Sequence, residues 1–172
     1  MNEIQKGYTI RPMLAEHWSQ VRTIYQKGID GRMATFETQA PAEWETWSAG
    51  KRPDCRLVAC TAEGTVLGWV AISPTSKRAV YAGVCELSVY VDPAASGQGV
   101  GSALMRQLIA ESEAAGVWML QGTLFPENEG SFALHKKMGF RVIGRRERVA
   151  RLDGVWRDTV LVERRSEVVG ID

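Results

Sequence analysis

The 172-residue chain is short of nearly every feature that marks a specialised class of protein. It has two histidines and three cysteines. Cys55, Cys60 and Cys85 are an odd set with no CxxC spacing and no His nearby, so neither a disulfide framework nor a zinc site is indicated. They read as core thiols. No unbroken apolar run exceeds seven residues, as in Val66 to Ile72, against the ~18 needed for a membrane helix. Charge of one sign is also missing: 21 basic and 20 acidic residues leave a net charge of +1. Such a chain has no strong field to draw in nucleic acid or anionic lipid. Residues Met1 to Lys6 lack the basic and then apolar layout of a secretory signal, which predicts a cytoplasmic protein.

What is present is ordinary globular composition, 45% hydrophobic and 24% charged, in a length that predicts one domain over 1–172 with its core at about 8–165. Tyr8 to Met13 reads as a strand. From Ala15, the residues Trp18, Val21, Ile24, Tyr25 and Ile29 follow helical spacing, and Pro41 is placed to open a second, short helix through Trp47. Leu57 to Thr61 and Val66 to Ile72 read as a hairpin closed by a two-residue Glu63-Gly64 turn. Tyr81 to Val91 is a long strand candidate, ended by Asp92-Pro93. A helix from Val100 to Gly116, a strand over Val117 to Leu124, a short helix over Ser131 to Met138 and strands at Phe140 to Ile143 and Val155 to Val162 complete the chain. The order is α+β: a central mixed sheet of about seven strands flanked by about four helices.

The segment Tyr90 to Met105, YVDPAASGQGVGSALM, is a strand, a loop with Gly97, Gly99 and Gly101, and a helix. The first turn of a helix leaves N–H groups unpaired at the positive end of its dipole, and glycines let an oxyanion come close. The spacing is neither GxGxxG nor a GK[ST] P-loop, so a glycine-rich turn without a ligand is the alternative reading of the loop by itself.

With Asn128-x-x-Ser131-x-x-Leu134-His135-x-x-x-Gly139-Phe140, this segment resembles the GNAT superfamily of acetyl-CoA-dependent N-acetyltransferases. Further matches in order are Thr35-Phe36-x-Thr38 with Trp44, Arg78-x-x-Tyr81, Glu86-x-Ser88-Val89-Tyr90-Val91 and Gly154-x-Trp156-x-Asp158. Together they cover nearly the whole chain and resemble the phosphinothricin and methionine sulfoximine N-acetyltransferase branch. The resemblance implies that Gly97, Gln98, Gly99, Val100, Gly101 and Ser102 hold the pyrophosphate of acetyl-CoA. It implies that the backbone of Val89, Tyr90 and Val91 pairs with the pantetheine arm as an added strand would, that Asn128 faces the cofactor, and that the protein is a homodimer. The family usually has Gln or Arg where this chain has Ser96, which can donate one hydrogen bond but brings no charge to the loop.

An amine attacking a thioester must lose a proton, and the departing thiolate must gain one. Glu86, between apolar neighbours on its strand, is the candidate base, with a pKa raised by burial. A solvent-facing or arginine-paired Glu86 is the alternative. His135 stands where many GNAT enzymes carry a Tyr that protonates the thiolate, and is the candidate acid or else a cofactor contact. No metal is expected. Phe36 is the candidate apolar wall of the amine site, with Met33 and Arg32 near it, and Arg78 and Tyr81 are candidate binders of a carboxylate or phosphinate. Trp156 and Asp158 support the resemblance without a site role. The reading is an acetyltransferase for the α-amine of a small amino acid or analogue. Polyamine or peptide N-terminal acetylation and a non-catalytic acyl-CoA-binding module are the alternatives.

Overall fold

The computed structural model describes residues 7–172; residues 1–6, where the absence of a secretory layout was read, lie outside them. Seven strands form one sheet in the order β1-β2-β3-β4-β5-β7-β6. They are β1 Tyr8–Pro12, β2 Arg56–Thr61, β3 Val66–Pro74, β4 Val84–Val91, β5 Met119–Leu124, β6 Arg141–Leu152 and β7 Val155–Arg165, with helices α1 Trp18–Asp30, α2 Trp44–Ser48, α3 Val100–Ala114 and α4 Glu129–Lys137. All neighbours run antiparallel except β4 and β5. This is the mixed α+β sheet expected.

Both faces of the sheet centre are covered, which is why β2 and β3 read as unbroken apolar runs. Leu57, Ala59, Val70 and Ile72 point to one side and pack with Val100, Leu104, Met105 and Leu108 of α3. Their neighbours Val58, Cys60, Trp69 and Ala71 point to the other side, against Val21 and Ile24 of α1 and Trp47 of α2. Period-two alternation along the strands thus divides one sequence between two cores. Burial of Leu104, Met105 and Leu108 to complete exclusion of solvent contributes roughly 1.5–3 kcal/mol each.

Three expectations are corrected. The β2–β3 hairpin closes through three residues, Ala62 to Gly64, since Thr61 N–H donates to Thr65 O and Gly64 N–H to Thr61 O, and Gly64 supplies φ +87°. That is a turn followed by a left-handed glycine bulge. Tyr81 is not in β4: residues Ala79–Tyr81 form a 3-10 turn. The strand starts at Val84, just after Gly83, where Trp118 packs so closely that a Cβ would come within 2.1 Å of the indole. Finally, β6 and β7 run well past Ile143 and Val162, as a hairpin closed by Asp153-Gly154, both at positive φ, the type I′ geometry that matches strand twist.

One topological feature positions the cavity. β4 pairs with β5 only at Val84↔Met119, Cys85↔Leu120 and Glu86↔Gln121. Beyond Glu86, β4 continues along β3 to Val91 while β5 follows β7 to Leu124. The sheet opens there into a wedge.

Candidate active site

The wedge is a cavity of about 430 Å³ whose walls include Phe36, Lys51, Glu86, Val89, Asn128 and His135. One edge of Leu87 to Val91 lacks a strand partner, so its N–H and C=O groups are open to an extended ligand. The hydroxyl of Thr159, buried on the wall, has no hydrogen-bond partner among the described residues. Tyr90 contributes backbone to this edge while its ring stacks on Trp69 at 4.8 Å, on the α1 side.

The glycine loop leads into α3 at one end of the wedge. Gly97 and Gly99 have φ of 77° and 76°, a left-handed conformation that strongly favours glycine. The first helical bond is Ala103 N–H to Gly99 O at 3.0 Å. The N–H groups of Val100, Gly101 and Ser102 therefore have no intrahelical acceptor, and no side chain caps the helix. This is an anion cradle in the physical sense, with dipole and donors aimed the same way. Gly101 serves it indirectly: a Cβ there would meet Leu134 Cδ2 at 3.2 Å and Val91 Cγ2 at 3.5 Å, so this glycine seats α3 against α4 and β4. Gln98 and Ser96 are exposed. A cation the sequence reading missed is present instead: Lys137 of α4 donates to Ser102 Oγ at 3.3 Å.

Glu86 is exposed into the cavity, not buried as expected of a residue between Cys85 and Leu87. Strand alternation turns its side chain to the face opposite Cys85 and Leu87, where it lines the cavity. His135 is the opposite case: it is 3% exposed, packed edge-on to Phe140 at 5.0 Å. Its Nδ1 lies 2.7 Å from the Ser131 carbonyl oxygen, and because that oxygen only accepts, the ring proton is assigned to Nδ1. Nε2 then carries the lone pair. Burial lowers the His135 pKa, partly opposed by the Ser131 bond, so the neutral ring is favoured.

Another part of the cavity wall is built by the loop after α1. Phe36 packs edge-on to Phe125 at 5.0 Å. Arg157 lies over Phe125 at 4.1 Å and donates to the Arg32 carbonyl at 3.1 Å. Asn128 lines the cavity, donates to the Met33 carbonyl at 2.9 Å and accepts from Ser131 N–H at 3.1 Å. Arg78 and Tyr81 are not on the cavity wall: they are exposed on the β3–β4 turn, stacked on each other at 5.5 Å. Asp158 accepts from Arg145 and from the Arg148 N–H, fixing the β6 bulge, and Trp156 stacks with Arg151. Neither lines the cavity.

A model of the Acetyltransferase (GNAT) family matches residues 16–140, a span that includes β4, β5, the glycine loop and α4. The chain belongs to the GNAT acetyltransferase family. It is similar to a phosphinothricin N-acetyltransferase of Streptomyces coelicolor, 32% identical over 161 residues that cover 90% of this chain and 94% of that protein. An L-methionine sulfoximine/L-methionine sulfone acetyltransferase of Pseudomonas aeruginosa is 31% identical over 78% of this chain and 73% of its own length. Among solved structures, a GNAT superfamily phosphinothricin acetyltransferase from Sinorhizobium meliloti in complex with AcCoA superposes with a TM-score of 0.81 at 27% identity, covering 96% of this chain and 97% of that one.

Within this GNAT chain, sequence reasoning missed Lys51 as well as Lys137. Lys51 sits in the loop after α2, where no motif marks it, and the only available signal was its place beside the tryptophans of that helix. The open edge of β4 and the uncapped start of α3 are suited to acetyl-CoA: the first offers a strand-like surface to a pantetheine amide, the second unpaired donors to phosphate.

Proposed function

We propose that this acetyltransferase transfers the acetyl group of acetyl-CoA to the α-amine of a small amino acid or analogue, of the phosphinothricin or methionine sulfoximine type. One observation carries the proposal: the unpaired edge of β4, leading to the uncapped N-terminus of α3, opens onto the same cavity as Glu86. The relatives named for phosphinothricin and methionine sulfoximine support the substrate class. Val89 to Val91 and the loop from Gly97 to Ser102 hold acetyl-CoA, which supplies an activated acetyl thioester.

Glu86 takes the proton of the incoming ammonium, directly or through water, because it is an exposed carboxylate on the cavity wall. His135 holds its own proton on Nδ1 toward Ser131, so Nε2 is first an acceptor. In an acid role at the departing sulfur, Nε2 takes the second proton that the nitrogen sheds after it bonds to the acyl carbon, the first having gone to Glu86. It passes that proton to the thiolate as the C–S bond breaks. Phe36 walls the amine site.

The long edge strand β6, with exposed Val142 and Ile143, and exposed Val155 and Trp156 on β7 favour pairing with a second copy. Three free, buried thiols suit the reducing cytoplasm. The test is thiol release from acetyl-CoA across phosphinothricin, methionine sulfoximine, proteinogenic amino acids, spermidine and a peptide. Highest kcat/KM is expected among the amino acids and analogues. Preference for spermidine or the peptide overturns the assignment, and acetyl-CoA binding without turnover of any amine favours a binding module.

A further inference from the structure

We propose that Lys51 binds the carboxylate of the acceptor amino acid and so sets the enzyme's preference for amino acids over simple amines. This deepens the amino-acid reading above and rests on it.

The cavity wall carries charges of both signs: Lys51, Glu37 and Glu86. Among the described residues Lys51 is its one cation. The Lys51 ammonium lies 5.5 Å from the Trp47 ring centre and donates to Ser73 Oγ at 3.0 Å. Ser73 is paired with Glu86 across β3 and β4. Cross-strand partners project from the same face with their Cβ atoms about 5 Å apart. Lys51 is thus held close to Glu86, yet no ion pair among the described residues includes it.

An ammonium has three N–H donors, and here a neutral hydroxyl takes one. Partial burial works against its charge, and Glu86 and Glu37 act in the other direction. An incompletely compensated cation of this kind gains from a carboxylate placed on its remaining donors. In an α-amino acid the nitrogen and the carboxyl carbon are about 2.5 Å apart, a separation that lets Glu86 face the amine while Lys51 faces the carboxylate. The wall therefore complements a zwitterion. A polyamine would set a second ammonium against Lys51, a repulsive element that contributes to specificity.

The experiment compares L-methionine sulfoximine with its α-carboxamide as acceptors for the parent, Lys51→Met and Lys51→Gln. The glutamine variant keeps a donor for Ser73 and removes only the charge, so it guards against a misfolded methionine variant. The parent should favour the free acid at least tenfold. Both variants should raise KM for the acid ten- to a hundredfold, leaving the amide and the KM for acetyl-CoA within about threefold. An equal loss on acid and amide, or no loss on either, overturns the role of Lys51 while the amino-acid assignment stands. A parent that acetylates acid and amide equally well overturns it too. A parent that acetylates spermidine and no amino acid overturns the assignment beneath it as well.

Discussion

The side-chain amide of Asn128 donates to the backbone carbonyl of Met33 across 2.9 Å, joining residues 95 apart in sequence. The same side chain accepts from Ser131 N–H and caps α4. One residue thus ties the helix carrying His135 to the loop carrying Phe36.

The two bonds separate by mutation. Asn128→Asp keeps an acceptor for the cap and loses the donor to Met33, so its melting temperature should stay close to that of the parent while KM for the amine rises about three- to tenfold. Asn128→Ala loses both, and its melting temperature should fall by about 2–4 °C, the effect of roughly 1 kcal/mol in a chain of this size. Calorimetric melting with steady-state kinetics reads both. A parental KM for the amine in Asn128→Asp would show that the Met33 tether has no separate role, and equal melting temperatures of the two variants would show the same of the cap.

Lys137 stands at Ser102, beside the open start of α3. It supplies a cation at a loop where Ser96 stands in place of the Gln or Arg that the resemblance implies. Lys137→Ala should weaken acetyl-CoA binding about two- to fivefold at low salt, and the difference should shrink as salt is added, because exposed charges are screened. Isothermal titration at two ionic strengths measures this. A salt-independent loss would point to packing rather than charge.

His135 makes a signed pH prediction. Its pKa is lowered in the folded state by burial, so below the ordinary value of ~6.5 the unfolded chain takes up a proton more readily than the native one. The contribution is fully present above ~6.5 and is lost as the pH falls toward the lower, folded-state pKa. Melting temperatures of the parent should drop between pH 7 and 5, and the drop should be shallower in His135→Gln. Parallel curves for the two proteins would contradict the buried, neutral assignment.

Much of this architecture was legible because its signals are local. The apolar stripe of α3 and the turn chemistry of Gly97 and Gly99 depend on near neighbours only. The exposure of Glu86 depends on tertiary structure: the pleat turns it to the face opposite buried Cys85 and Leu87, and only the fold makes that face an open cavity there. Lys51 was invisible for a related reason, since its importance comes from Ser73, 22 residues away. The length of β6 was hidden by Arg145, Arg146, Arg148 and Arg151, which break the apolar alternation of an edge strand. The Asp153-Gly154 turn was the signal that marks that hairpin.

The claim that the wedge is a working acetyl-transfer site is tested most directly by Glu86→Gln, assayed for thiol release with methionine sulfoximine and for acetyl-CoA affinity by calorimetry. Glu86 faces the cavity and buries no part of the core, so the variant should fold and bind acetyl-CoA like the parent. Turnover should fall by about 10² or more, the usual range for a general base. A variant with full turnover and an unchanged pH profile would remove Glu86 from the chemistry, and with it the central claim.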